Sequence, residues 1–112
     1  MVFEYEELKE CVEEDFERFY KMGFSAIQIL PAVLNEYEHG EEFCFVENIC
    51  IHVCLTLLYK EKDLKCNDII GKLNQMVGEG RENEIMTELG NDYSKFLIDL
   101  NNARERDINY HI

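Results

Sequence analysis

The chain has 112 residues, 46% of them hydrophobic, with one proline and no tryptophan. This composition fits a single folded domain with one core, and it excludes wholesale disorder and a fold of many short strands, for which turn-formers are too few. Twenty-four acids face eleven Lys and Arg, a formal net charge of −13, which repels nucleic acid and anionic membranes and attracts a basic partner.

Glu4 to Met22 reads as a first helix. Leu8, Val12, Phe16 and Phe19 recur at three- and four-residue steps, and Glu6, Glu10, Glu13, Glu14 and Glu17 cover the other side. Gly23 is placed to end it. Ser25 then caps a second helix to about Glu38, with Ile27, Leu30 and Leu34 as its stripe and Ile29 and Val33 beside it. Pro31 falls inside this pattern and predicts a kink. Asn35 to Glu42 is an acidic turn, with Gly40 as the helix stop.

The third segment, about 41–61, is apolar almost all round, which places it at the centre of a bundle. Its polar strip is Asn48, His52 and Thr56. Asn67 to Val77 is a fourth helix capped by Asn67 with Ile69, Ile70 and Leu73 inward, and Gly78-Glu79-Gly80 is a loop. Asn83 caps a short fifth helix through Leu89, and Asn91 or Asp92 caps a sixth through about Arg104. The tail, about 107–112, is expected to fray. The expected fold is therefore all-α: a single-domain bundle of about five to six helices spanning 1–112 around the apolar central helix.

The charge is unevenly spread. Residues 1–59 carry 13 acids and 3 bases, a net −10, and residues 60–112 carry 11 acids and 8 bases, a net −3. No Lys or Arg occurs from Met22 to Tyr59. For any single glutamate the bland reading is a solvated helix face. For the half-chain, the asymmetry points to a surface that steers a basic partner. Its candidate residues are Glu10, Glu13, Glu14 and Glu17 on the first helix, and Glu36, Glu38, Glu41 and Glu42 around the turn. Tyr37 among them is the aromatic anchor that a charged rim would surround.

Other chemistry finds less support. The opening MVFEYEELKE has acids where a secretory leader needs Lys or Arg, and Glu47, Asn48 and His52 interrupt the longest apolar stretches, so no signal peptide or membrane span is expected. Five cysteines (Cys11, Cys44, Cys50, Cys54, Cys66) form an odd set without a disulfide-framework spacing, which suits reduced thiols in the cytoplasm. Cys50 and Cys54 share a helix face, but His52 lies roughly 200° around from Cys50, so one helix cannot aim all three at one metal. No P-loop, G-x-S-x-G or EF-hand spacing occurs. No enzyme activity, cofactor or metal is expected. The alternative is a small metal- or thiol-dependent regulator built on the cysteine-rich third helix.

Short, acidic, helical and without a catalytic motif, the chain resembles the immunity proteins of bacterial polymorphic-toxin systems, including contact-dependent growth inhibition. The features that carry the resemblance are the opening Tyr5-Glu6-Glu7-Leu8 helix, the acidic turn Asn35–Glu42 and the apolar third helix. The resemblance implies a cytoplasmic antitoxin, a monomer or weak oligomer when free, that neutralises a cognate toxin domain. In many such systems that domain is a nuclease with a basic cleft.

Overall fold

The computed structural model describes residues 4–37 and 44–105. Among them are six α-helices: α1 (Tyr5–Lys21), α2 (Ala26–Tyr37), α3 (Phe45–Glu61), α4 (Asn67–Val77), α5 (Glu82–Leu89) and α6 (Tyr93–Arg104). A 3-10 turn, Gly90–Asp92, joins the last two. The fold is all-α, and the described residues include no strand. The outer part of the expected acidic turn, with Glu38, Glu41 and Glu42, and the tail at 107–112 lie outside the described residues.

α3 is the axis of the bundle. Eight consecutive residues, Ile49 to Thr56, are buried, so every side of the helix is covered. It packs against α1, α2, α4, α5 and α6 in turn. The buried side chains of all six helices join it in one hydrophobic cluster. The expected polar strip of α3 is enclosed too: Thr56 is fully buried and His52 nearly so. Both satisfy themselves within the helix. The His52 Nδ1–H donates to the Asn48 carbonyl at 2.9 Å, and the Thr56 hydroxyl donates to the His52 carbonyl at 2.7 Å.

α1 ends as a Schellman motif. Gly23 takes φ +91°, a conformation that costs a side-chain-bearing residue energy. Its N–H donates to Tyr20 O, and the Phe24 N–H reaches back to Phe19 O, each at 3.1 Å. The rings of Phe19 and Phe24 stack with centroids 5.1 Å apart and close the turn. α2 then begins where expected. The Ser25 carbonyl accepts from the N–H groups of Gln28 and Ile29, and Gln28 Oε1 accepts from the Ser25 N–H at 2.9 Å, the reach-back half of a capping box.

α2 continues through Pro31, which is exposed. The carbonyl that proline leaves without a helical partner belongs to Ile27, itself 80% exposed. This corrects the expected stripe. The buried residues are Ile29, Leu30 and Val33, with Leu34 half-buried, and Ile27 points to water. The Tyr59 hydroxyl on α3 donates to the Ala26 carbonyl at 2.6 Å and fixes this rotation of α2.

Two expected caps also move. Hydrogen bonding in α4 starts one residue before Asn67, because the Ile70 N–H bonds Cys66 O. In α5 the Ile85 N–H bonds Arg81 O, so Arg81 rather than Asn83 holds the cap position. The Arg81 guanidinium forks onto the Glu84 carboxylate with two 2.8 Å hydrogen bonds and lies 3.9 Å from the Phe45 ring centroid. Asp92 caps α6 in position, as one of the two expected residues. At the far end, the Lys60 ammonium donates to the carbonyls of Asn102 and Glu105, closing the last turn of α6 onto α3.

Candidate functional site

The acidic face of α1 exists as a surface because the opposite side of the helix is needed for the core. Tyr5, Leu8, Val12 and Phe16 are buried. Helical spacing therefore puts Glu10, Glu13, Glu14 and Glu17 outside, where with Arg18 and Lys21 they line a shallow open depression of about 540 Å³.

What makes this face electrostatically strong is where the few bases go. Lys9 turns inward, its Nζ 3.0 Å from Asp99 Oδ2 on α6. Arg18 Nη2 pairs with Asp15 at 3.3 Å and with Glu36 at 3.0 Å. Its guanidinium also lies 4.8 Å from the centroid of the Phe19 ring. Lys62 of α3 takes Glu17 at 3.4 Å, and Lys95 of α6 takes Glu6 at 3.7 Å. Glu10, Glu13 and Glu14 are exposed and have no ion pair among the described residues. The bases thus neutralise the edges of the face and leave its centre negative.

Glu36 and Tyr37 sit beside this face, at the joint between α1 and α2. Glu36 is exposed and shares Arg18 with Asp15. Tyr37 is half-buried beside the Asp15 carboxylate. Burial first, and then the Asp15 carboxylate, hold the phenol well above its ordinary range. The structure therefore brings Glu10, Glu13, Glu14 and Glu17 together and sets Glu36 and Tyr37 at their border.

The cysteines are dispersed. Cys50 and Cys54 are buried in α3, Cys44 and Cys66 are half-buried, and Cys11 is exposed on α1. Burial pushes the Cys50 thiol up, and it pushes the Cys54 thiol up to about 12, which suppresses the thiolate that reactivity and metal binding require. Cys54 feels Lys9 and Asp99, toward α1 and α6, whereas His52 feels Lys72 of α4. Among the described residues, no group of three or more His, Cys, Asp or Glu is arranged to hold a metal ion. No described helix is long and apolar enough to cross a membrane.

One feature of the surface is not among the sequence-based candidates for partner binding, and one of its residues, Ile27, was expected inward. Tyr20, Met22 and Ile27 are exposed apolar side chains around the α1–α2 turn. Gly23 marked the turn, but the outward rotation of Ile27 depends on contacts of α2 with α3. Comparison with protein-family models, with characterised proteins and with solved structures returns no match for this chain.

Proposed function

We propose that the protein is an acidic immunity protein, a cytoplasmic antitoxin that binds and neutralises a cognate bacterial toxin domain of the kind deployed in contact-dependent growth inhibition. The observation that supports this reading best is the uncompensated centre of the α1 face, Glu10, Glu13 and Glu14. Like charges held at three- and four-residue spacing weaken a helix by a few tenths of a kcal/mol per pair. A partner bearing Lys or Arg relieves that repulsion, and complementary fields raise association rates by roughly 10- to 1000-fold. A nuclease-type cleft, built to hold phosphates, offers such a surface.

Co-expression with the toxin encoded beside it tests the proposal. The expected result is a one-to-one complex that co-purifies and rescues growth. Failure to co-purify, or no rescue of growth, would sink the reading. With the complex in hand, raising salt should slow association several-fold and leave dissociation less affected, because screening acts mainly on the long-range encounter.

A further inference from the structure

Asp99 on α6 is the meeting point of two side chains from the start of α1. Its Oδ2 accepts from the Tyr5 hydroxyl at 2.6 Å and from the Lys9 ammonium at 3.0 Å. Tyr5 is fully buried, so the carboxylate is held in place, while the Lys9 side chain is 33% exposed and keeps its reach to the surface. On α1 itself Lys9 has two acidic neighbours: Glu6, three residues back, and Glu13, four residues on. Lys95 of α6 takes Glu6 at 3.7 Å. Glu13 is exposed and has no ion pair among the described residues. The helix therefore offers Lys9 a second partner, and that partner belongs to the uncompensated centre of the acidic face. Two things favour Asp99. An exposed pair in which Lys precedes Glu is the weaker order on a helix. The Asp99 side chain is only 17% exposed, which strengthens its attraction, and Lys9 Nζ also lies 5.5 Å from the Tyr5 ring centroid.

We infer that Asp99 is a positioning residue of the partner surface: by drawing Lys9 inward it keeps Glu13 available to a basic partner, so a residue on α6 sets the charge of the α1 face. This rests on the basic-partner reading above and adds a determinant that is not itself part of the face. Without the Asp99 carboxylate, Lys9 turns to Glu13, and the uncompensated centre shrinks to Glu10 and Glu14.

The test introduces Lys9→Met into two backgrounds, the parent and Asp99→Asn, in the full chain. Asp99→Asn keeps an oxygen for the Tyr5 hydroxyl, and thermal melts check that each variant folds. The probe is a synthetic Lys/Ser peptide, and the readout is its association rate at low salt. Lys9→Met should change that rate less than about two-fold in the parent, where Lys9 is already turned away, and raise it about three- to five-fold in the Asp99→Asn background. Equal acceleration in both backgrounds would mean that Lys9 acts through net charge alone, and would overturn the inference while leaving the basic-partner reading standing. Failure of the peptide to bind the parent would sink that reading and the role of Asp99 with it. Carbodiimide coupling, which joins an amine to a carboxylate it touches, gives a second readout that needs neither the peptide nor a folded variant. In the parent it should link Lys9 to Asp99, and in Asp99→Asn it should link Lys9 to Glu13. A Lys9–Glu13 link as the main product in the parent would also overturn the inference.

Discussion

The Tyr5 hydroxyl donates a 2.6 Å hydrogen bond to Asp99 Oδ2, so the first turn of α1 is fastened to α6 across 94 residues of chain. Lys9 adds a second contact to the same oxygen at 3.0 Å. Tyr5 is fully buried and meets the Phe96 ring edge-on at 6.1 Å. Tyr5→Phe keeps the ring and removes only the hydroxyl, and should cost about 1–2 kcal/mol. Asp99→Ala should cost about 2–3 kcal/mol, because it leaves a buried hydroxyl and Lys9 without their acceptor. Urea unfolding of the two single variants and the double variant checks this: the double variant should lose less than the sum. Strict additivity would show that the bond contributes nothing.

Two neighbouring isoleucines on α2 should behave oppositely. Ile29 is fully buried and Ile27 is 80% exposed. Ile29→Ala should destabilise by about 3 kcal/mol, the range for a core aliphatic cut back to a methyl. Ile27→Ala should stay within about 0.5 kcal/mol of the parent. Equal losses would mean that α2 is rotated from the position described. The pair is informative because each substitution removes the same atoms from the same helix.

That contrast marks where sequence reading runs out. α3 was legible because Val46, Ile49, Cys50, Val53 and Leu57 make one stripe at three- and four-residue spacing while Ile51, Leu55 and Leu58 fall on the other side, so the helix had to be central. The range 67–77 of α4 was legible because Ile69 and Leu73 repeat between clear stops. α2 was different. Ile27, Ile29, Leu30, Val33 and Leu34 are too many for one stripe, and the choice among them is made by the Ser25–Gln28 cap and by Tyr59 holding the Ala26 carbonyl. The acidic face followed from the three- and four-residue spacing of its glutamates. Which of them stay uncompensated did not, because that depends on α6 bringing Asp99 to Lys9 and α3 bringing Lys62 to Glu17. Long-range partners of this kind leave no local pattern.

His52 makes the fold sensitive to mild acid. It is 4% exposed, and its Nδ1–H is already committed to the Asn48 carbonyl. Burial, opposed by that hydrogen bond and aided by the Lys72 charge, holds its pKa below the ordinary 6.5. The unfolded chain recovers the ordinary value, so below pH 6.5 it binds a proton that the folded protein does not. Stability is therefore lost as pH falls from about 7 toward the depressed folded value. Urea midpoints measured at pH 7.5 and pH 5.5 should drop in the parent, and His52→Leu should make that drop smaller. An unchanged difference would show that other groups carry the acid sensitivity.

The acidic face should trade stability for association. Glu10 and Glu14 are four residues apart, Glu10 and Glu13 three, and Glu13 and Glu17 four, so each repels its neighbours along one exposed side of α1. The triple variant Glu10→Gln/Glu13→Gln/Glu14→Gln removes that repulsion without changing side-chain shape. At low salt it should gain about 0.5–1 kcal/mol, a rise of a few degrees in melting temperature. High salt screens the parent's repulsion and should close the gap between the two. The same variant should associate with a basic partner several-fold more slowly, since the centre of the face has lost its charge. A gain in stability with an unchanged association rate would confine these glutamates to solubility. A triple variant that is less stable at low salt would show instead that the three carboxylates make favourable contacts that outweigh their mutual repulsion.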